Sequence, residues 1–159
     1  SYNWTKFYSC CIETHKTKVN YCTINTSIEY GSHLEKHMGP EAKFYQKLKR
    51  NFKSISLIRI ENSSLHGTPD LLGYNNSGHF FTLELKVTRS NKIRFSPHQI
   101  AFHVKHPKNT YICIEHLGSG TVKLFRGSRI MELEACGFKL DACRLGLDAC
   151  RLELEACGL

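Results

Sequence analysis

The chain predicts an α/β fold in which a small mixed sheet is flanked by helices. Three observations carry that prediction: a helical apolar stripe opening at Gly39-Pro40, five strand-like runs after it, and a second helix between them whose start and stop are both marked. With 159 residues the chain has room for one domain and appendages, and 41% hydrophobic residues can bury a core.

The elements follow in order. Pro40 suits a first helical position, and Phe44, Tyr45, Leu48 and Phe52 then fall on one helical face. Residues 54–60 are rich in β-branched side chains and predict a strand. Residues 70–74 and 80–87 flank Asn75-Asn76-Ser77-Gly78, a cluster that tolerates positive φ, and predict a hairpin. In the next helix Ser96 is the N-cap, Pro97 the first position and Gln99 the capping-box partner, and Pro107 ends the run. Residues 111–115 and 121–125, divided by Gly118-Ser119-Gly120, predict a last strand pair, with Cys113 in the core between Ile112 and Ile114. The order is αβββαββ.

The two ends differ from this middle. Residues 1–38 form an N-terminal extension that reads weakly as a hairpin. Cys10, Cys11, His15 and Cys22 are zinc-ligand types, but at irregular spacing and with no C-x-x-C pair in the chain, so ordinary reduced thiols are expected. Residues 131–159 form a tail of four heptads, LEACGFK, LDACRLG, LDACRLE and LEACGL, with Cys136, Cys143, Cys150 and Cys157 seven apart. If the tail is helical, its Leu and Cys positions form a stripe that packs on itself or a partner. Gly137, Gly146 and Gly158 oppose that helix at about 1 kcal/mol each relative to alanine.

The net charge of +8 is concentrated: residues 39–130 carry 15 Lys and Arg against 5 Asp and Glu. A basic domain of this size points to a polyanion, nucleic acid above all. No apolar run approaches the roughly 20 residues of a membrane-spanning helix. The N-terminus lacks a basic stretch followed by an apolar one. An intracellular, cytoplasmic protein without a membrane partner is expected.

The chemistry lies in the hairpin. If residues 75–79 form its loop, Tyr74 faces Phe80 and, counting back, Asp70 faces Glu84; a four-residue loop would put Leu83 there instead. Lys86 shares the face of Glu84, while Leu83, Leu85 and Val87 point the other way. Adjacent carboxylates repel, and a hard divalent cation with oxygen ligands, Mg²⁺ first, relieves them. With Lys86 to orient water or stabilise developing charge, those parts suffice for phosphodiester hydrolysis. The plainer alternative makes Asp70 a turn cap after Pro69, and Glu84 with Lys86 an exposed strand edge.

GTPDLL at 67–72 followed by LELKV at 83–87 resembles the PD-(D/E)xK nuclease superfamily, and the αβββαβ order is similar to its restriction-endonuclease-like core. The resemblance covers residues 39 to about 130 and is strongest to small phage-type, VRR-NUC-like and Holliday-junction resolvase-like nucleases. It implies Asp70 and Glu84 as metal ligands and Lys86 as the catalytic lysine. It also implies an acid from the first helix, which Glu41 fits, though an acid at a helix start suits the macrodipole equally well. It implies a site Gln on the helix after the catalytic strands. SPHQIAFH at 96–103 supplies Gln99, whose capping-box role is an equal reading.

The expectation is therefore a DNA endonuclease that uses Mg²⁺, with Mn²⁺ as a substitute, and acts through Asp70, Glu84 and Lys86, supported by Gln99 and Glu41. Asp70, Glu84 and Glu41 would hold the metal. Lys43, Lys47, Arg89, Lys92, Arg94 and Lys105 are the expected phosphate contacts, with TRSNKIRF at 88–95 as a basic loop beside the catalytic strand. His66, His98, His103 and His106 read as surface or satisfied histidines. The expected partner is branched or otherwise structured DNA in phage or bacterial recombination and repair, with a homodimer if junctions are resolved and no small-molecule cofactor. The rivals are a nuclease for flaps, ends or a specific duplex site, and a non-catalytic nucleic-acid-binding module.

Overall fold

The computed structural model describes residues 38–60 and 66–158. The expected N-terminal hairpin and the group Cys10, Cys11, His15 and Cys22 lie outside the described residues. Within them the order is α1 (Pro40–Asn51), β1 (Ser56–Arg59), β2 (Leu71–Tyr74), β3 (Phe80–Thr88), α2 (Pro97–Lys105), β4 (Thr110–His116), β5 (Thr121–Arg126), α3 (Ile130–Cys136), β6 (Arg144–Leu145) and α4 (Leu147–Glu155). Single 3₁₀ turns at Gly127–Arg129 and Gly137–Lys139 flank α3.

The six strands lie side by side in sequence order, and only β3 and β4 run parallel. Their connection runs through α2, because a chain returning to start a parallel strand needs a crossover that a tight turn cannot supply. The fold is thus α/β, a six-stranded mixed sheet flanked by helices. The capping box forms as the sequence predicts: Ser96 Oγ accepts from Gln99 N at 3.2 Å and Gln99 Oε1 from Ser96 N at 3.0 Å.

Strand alternation divides the core. Tyr111 and Cys113 of β4 and Phe81, Leu83 and Leu85 of β3 face one way, onto Phe44 and Leu48 of α1. Ile112 and Ile114 face the other way, onto Ile130 and Leu133 of α3. β4 is covered on both sides, which is why its sequence reads as a nearly unbroken apolar run. β3 buries apolar side chains on the first side; its second side presents Phe80, Thr82, Glu84 and Lys86.

The heptad tail does not form one helix. Gly137 (φ +71°) and Gly146 (φ +90°) adopt left-handed backbone and break it into α3, β6 and α4. Its repeated Leu and Cys side chains are used on the chain's own sheet. Leu133 enters the second core, Cys150, Leu154 and Cys157 enter the first, and β6 pairs with β5. Residues 131–158 therefore pack with 39–130 in one compact unit. Asn75 of the hairpin loop fastens the tail: its buried side chain donates to the carbonyls of Leu154 (3.0 Å) and Cys157 (2.9 Å) and accepts from His79 N (3.0 Å). Among the described residues no helix is long and apolar enough to cross a membrane.

Candidate active site

The β2–β3 register places Leu71 opposite Leu83 and Tyr74 opposite Phe80. This is the longer-loop register, so Asp70, one residue before β2, arrives beside Glu84. Asp70 is held there by the backbone, its Oδ2 accepting from Leu85 N at 2.7 Å. Glu84 is only 1% exposed and meets Lys86 Nζ at 3.4 Å and Gln99 Nε2, which donates to its Oε1. Its other oxygen, Oε2, is buried with no hydrogen-bond partner. Burial, reinforced by the charge of Asp70, pushes the Glu84 carboxyl up to about 8, against the opposing pull of Lys86.

Asp70 is also raised by burial, opposed by the Leu85 N–H and by Lys86 and Arg59. Glu41 stands exposed on the first turn of α1, three and seven residues before the buried Phe44 and Leu48 and on the same helical face. It is close enough to these groups to feel Lys86, Asp70 and Arg59, and burial of part of the side chain raises it. The structure therefore gathers Glu41, Asp70, Glu84, Lys86 and Gln99 at one end of the sheet.

Gln99 completes the capping box and also touches Lys86 and Glu84. Its Oε1 completes the cap with Ser96 N and also accepts from Lys86 Nζ at 3.3 Å, while its Nε2 holds Glu84. The helix cap thus fixes the amide that aligns a lysine with a carboxylate. Lys86 Nζ also lies 5.5 Å from the Phe95 ring centroid, a cation–π contact that limits its freedom.

The donor chemistry fits a hard divalent cation: two facing carboxylates, one with a buried oxygen that nothing satisfies. Among the described residues no three Asp, Glu, His or Cys side chains stand close enough together to hold a metal by themselves. Mg²⁺ needs no such cage, because it commonly takes one or two carboxylates and completes its shell with water and phosphate.

A cavity of about 610 Å³ opens from Glu41 and Lys86 and is lined by Arg89, Lys92 and Arg94. These three expected phosphate contacts therefore share a space with the site. Lys43 and Lys47 line a separate hollow, where Lys47 Nζ is paired with Glu115 Oε1 at 2.6 Å. Lys105 is exposed on the last turn of α2, roughly 9 Å along the helix axis from Gln99, and the structure does not bring it to the cavity.

His66 and His98 stack at 5.3 Å beside the GTPD turn, and His106 lies exposed against Phe102. His103 departs from expectation. It is 1% exposed with neither ring nitrogen bonded, and burial lowers it to about 4. The sequence reading also passed over Arg59 and Phe95. Arg59 had a signal, since it is the lone cation within the strand run at 54–60; Phe95 had none. No protein-family model matches the chain, and no curated protein does.

Proposed function

We propose that this protein is a metal-dependent DNA endonuclease with a restriction-endonuclease-like core of the PD-(D/E)xK type, working inside the cell. One observation carries the reading: Glu84, a buried carboxylate with an unpartnered oxygen, shares one end of the sheet with Asp70, Lys86 and Gln99, where a basic cavity opens. A structural acid in that position would be costly, because a buried carboxylate without full hydrogen bonding is destabilising. A metal ion at that oxygen would supply the partner that the protein's own groups do not.

Mg²⁺ or Mn²⁺, when bound, would supply an acidified water and positive charge against the phosphate. Asp70 and Glu84 are the residues to hold it, with Glu41 at the mouth. Lys86, restrained by Glu84, Gln99 and Phe95, presents one ammonium to the attacking water or to the charge developing on phosphate. Gln99 keeps that ammonium and the carboxylate in register. Arg89, Lys92 and Arg94 hold the strand by its phosphates. Four-way junctions are the leading substrate class if the protein is a symmetric dimer; a strict monomer favours flaps, ends or a duplex site.

The test is cleavage of labelled four-way junction, flap, single-strand and plain duplex DNA in Mg²⁺ by the parent and by Lys86→Ala. Cleavage that falls at least about a hundredfold in the variant is expected, in line with the loss of one transition-state donor. Tight binding with no cutting of any substrate would replace the nuclease with a binding module.

A further inference from the structure

Among the described residues, the sheet face that carries Glu84 passes from the carboxylates through half-buried Leu72 and Thr82 to a group of exposed apolar side chains. Glu84, Thr82 and Phe80 alternate along β3, Asp70, Leu72 and Tyr74 do so along β2, and Ile58 of β1 lies opposite Leu72. Phe80 is 56% exposed, Ile58 53% and Tyr74 41%. Single exposed apolar side chains are ordinary, but a contiguous group on one face marks a binding surface. The rings of Tyr74 and Phe80 lie against each other at 4.5 Å between centroids. A cavity of about 250 Å³ beside them is lined by Leu72, Phe80, Phe102, His106 and Lys108.

We propose that this face is a stacking subsite for unpaired bases of the DNA strand whose backbone passes through the candidate active site, so that the preferred substrate has single-stranded character. The proposal rests on the reading of that site as a phosphodiester-cleaving cleft. Three features select the occupant. The surface lies on the same face of the same two strands as the carboxylates. Its exposed side chains include a ring pair, and aromatic faces accept any base. The cation at its edge, Lys108, matches a phosphate backbone.

The spacing fits as well. Phe80 lies four residues from Glu84, about 13 Å at roughly 3.3 Å per residue. A stacked strand covers that distance in about four nucleotides and an extended strand in fewer. Paired bases turn their faces to one another and leave none for Phe80, so a duplex gains nothing from this surface.

The experiment measures binding by fluorescence anisotropy in Mg²⁺-free buffer, with the full chain. The ligands are an oligo-dT strand, an abasic strand of equal length and a duplex; the proteins are the parent, Phe80→Ala, Tyr74→Ala with Phe80→Ala, and Lys92→Ala. The parent should bind oligo-dT about tenfold more tightly than the abasic strand. The double variant should lose that preference with duplex binding unchanged, whereas Lys92→Ala should weaken all three ligands alike. Both aromatic positions are exposed, and circular dichroism verifies that the variants fold. Equal parent affinity for oligo-dT and abasic strands overturns the subsite. Sedimentation showing that the parent is a dimer and Phe80→Ala a monomer also overturns it, because a second copy then covers the face. If the base preference holds and no DNA is cut, the nuclease reading fails and the stacking surface stands. If DNA is cut and Phe80→Ala changes nothing, the reverse is true.

Discussion

Glu84 sits where its charge is disfavoured, buried at 1% exposure, and that cost follows from what surrounds it. Gln99 and Lys86 satisfy one oxygen and leave the other without a partner. His103 is a second buried group at odds with its setting. Because burial holds it at about 4, below its ordinary 6.5, the folded state binds fewer protons than the unfolded chain between those values. The stability due to neutral His103 is therefore fully present above pH 6.5 and is lost as the pH falls through 4. Chemical denaturation between pH 7.5 and pH 4 should show the parent losing up to about 3 kcal/mol more than His103→Leu, which has no ring to protonate. Parallel pH profiles for the two proteins would contradict this.

At the scale of elements, the hairpin loop does more than turn the chain. Asn75 joins the β2–β3 loop to the C-terminal end of α4, where helix carbonyls lack partners of their own. Ser54, in the connection between α1 and β1, donates a hydrogen bond to Glu155, and Gly158 lies against the His79 ring. Replacing Asn75 by Ala leaves buried carbonyls and the His79 N–H unpaired, with an expected loss of about 3 kcal/mol in urea unfolding at an unchanged slope. A loss below about 0.5 kcal/mol would mean that water takes over these bonds and the tail is held by apolar contact alone. The prediction bears on the site, because the same hairpin sets Asp70 against Glu84.

For the molecule as a whole, charge is the long-range signal. The excess of cations in residues 39–130 is not spread evenly over the surface: Arg89, Lys92 and Arg94 line the cavity at Lys86, while Arg126 is paired with Glu153 of the tail. DNA affinity should therefore fall steeply with salt. A plot of log affinity against log salt for Lys92→Ala should be shallower than the parent's by about one counterion. A parallel plot would place Lys92 outside the DNA path.

The sequence by itself determined the local signals: both helices with their proline starts, the capping box, the strand runs and the hairpin loop. It also carried the Asp70, Glu84 and Lys86 pattern, because strand alternation and loop length are properties of neighbouring residues. Tertiary structure decided what depends on separation in the chain. It showed that Gln99 both caps its helix and holds Lys86, and that Lys47 is engaged by Glu115. It put Lys105 away from the cavity and folded a repeat that could have made an intermolecular stripe onto its own sheet. A heptad records which positions are apolar and says nothing about which surface buries them. Two glycines with left-handed backbone and one buried asparagine 79 residues away from Leu154 settled that choice.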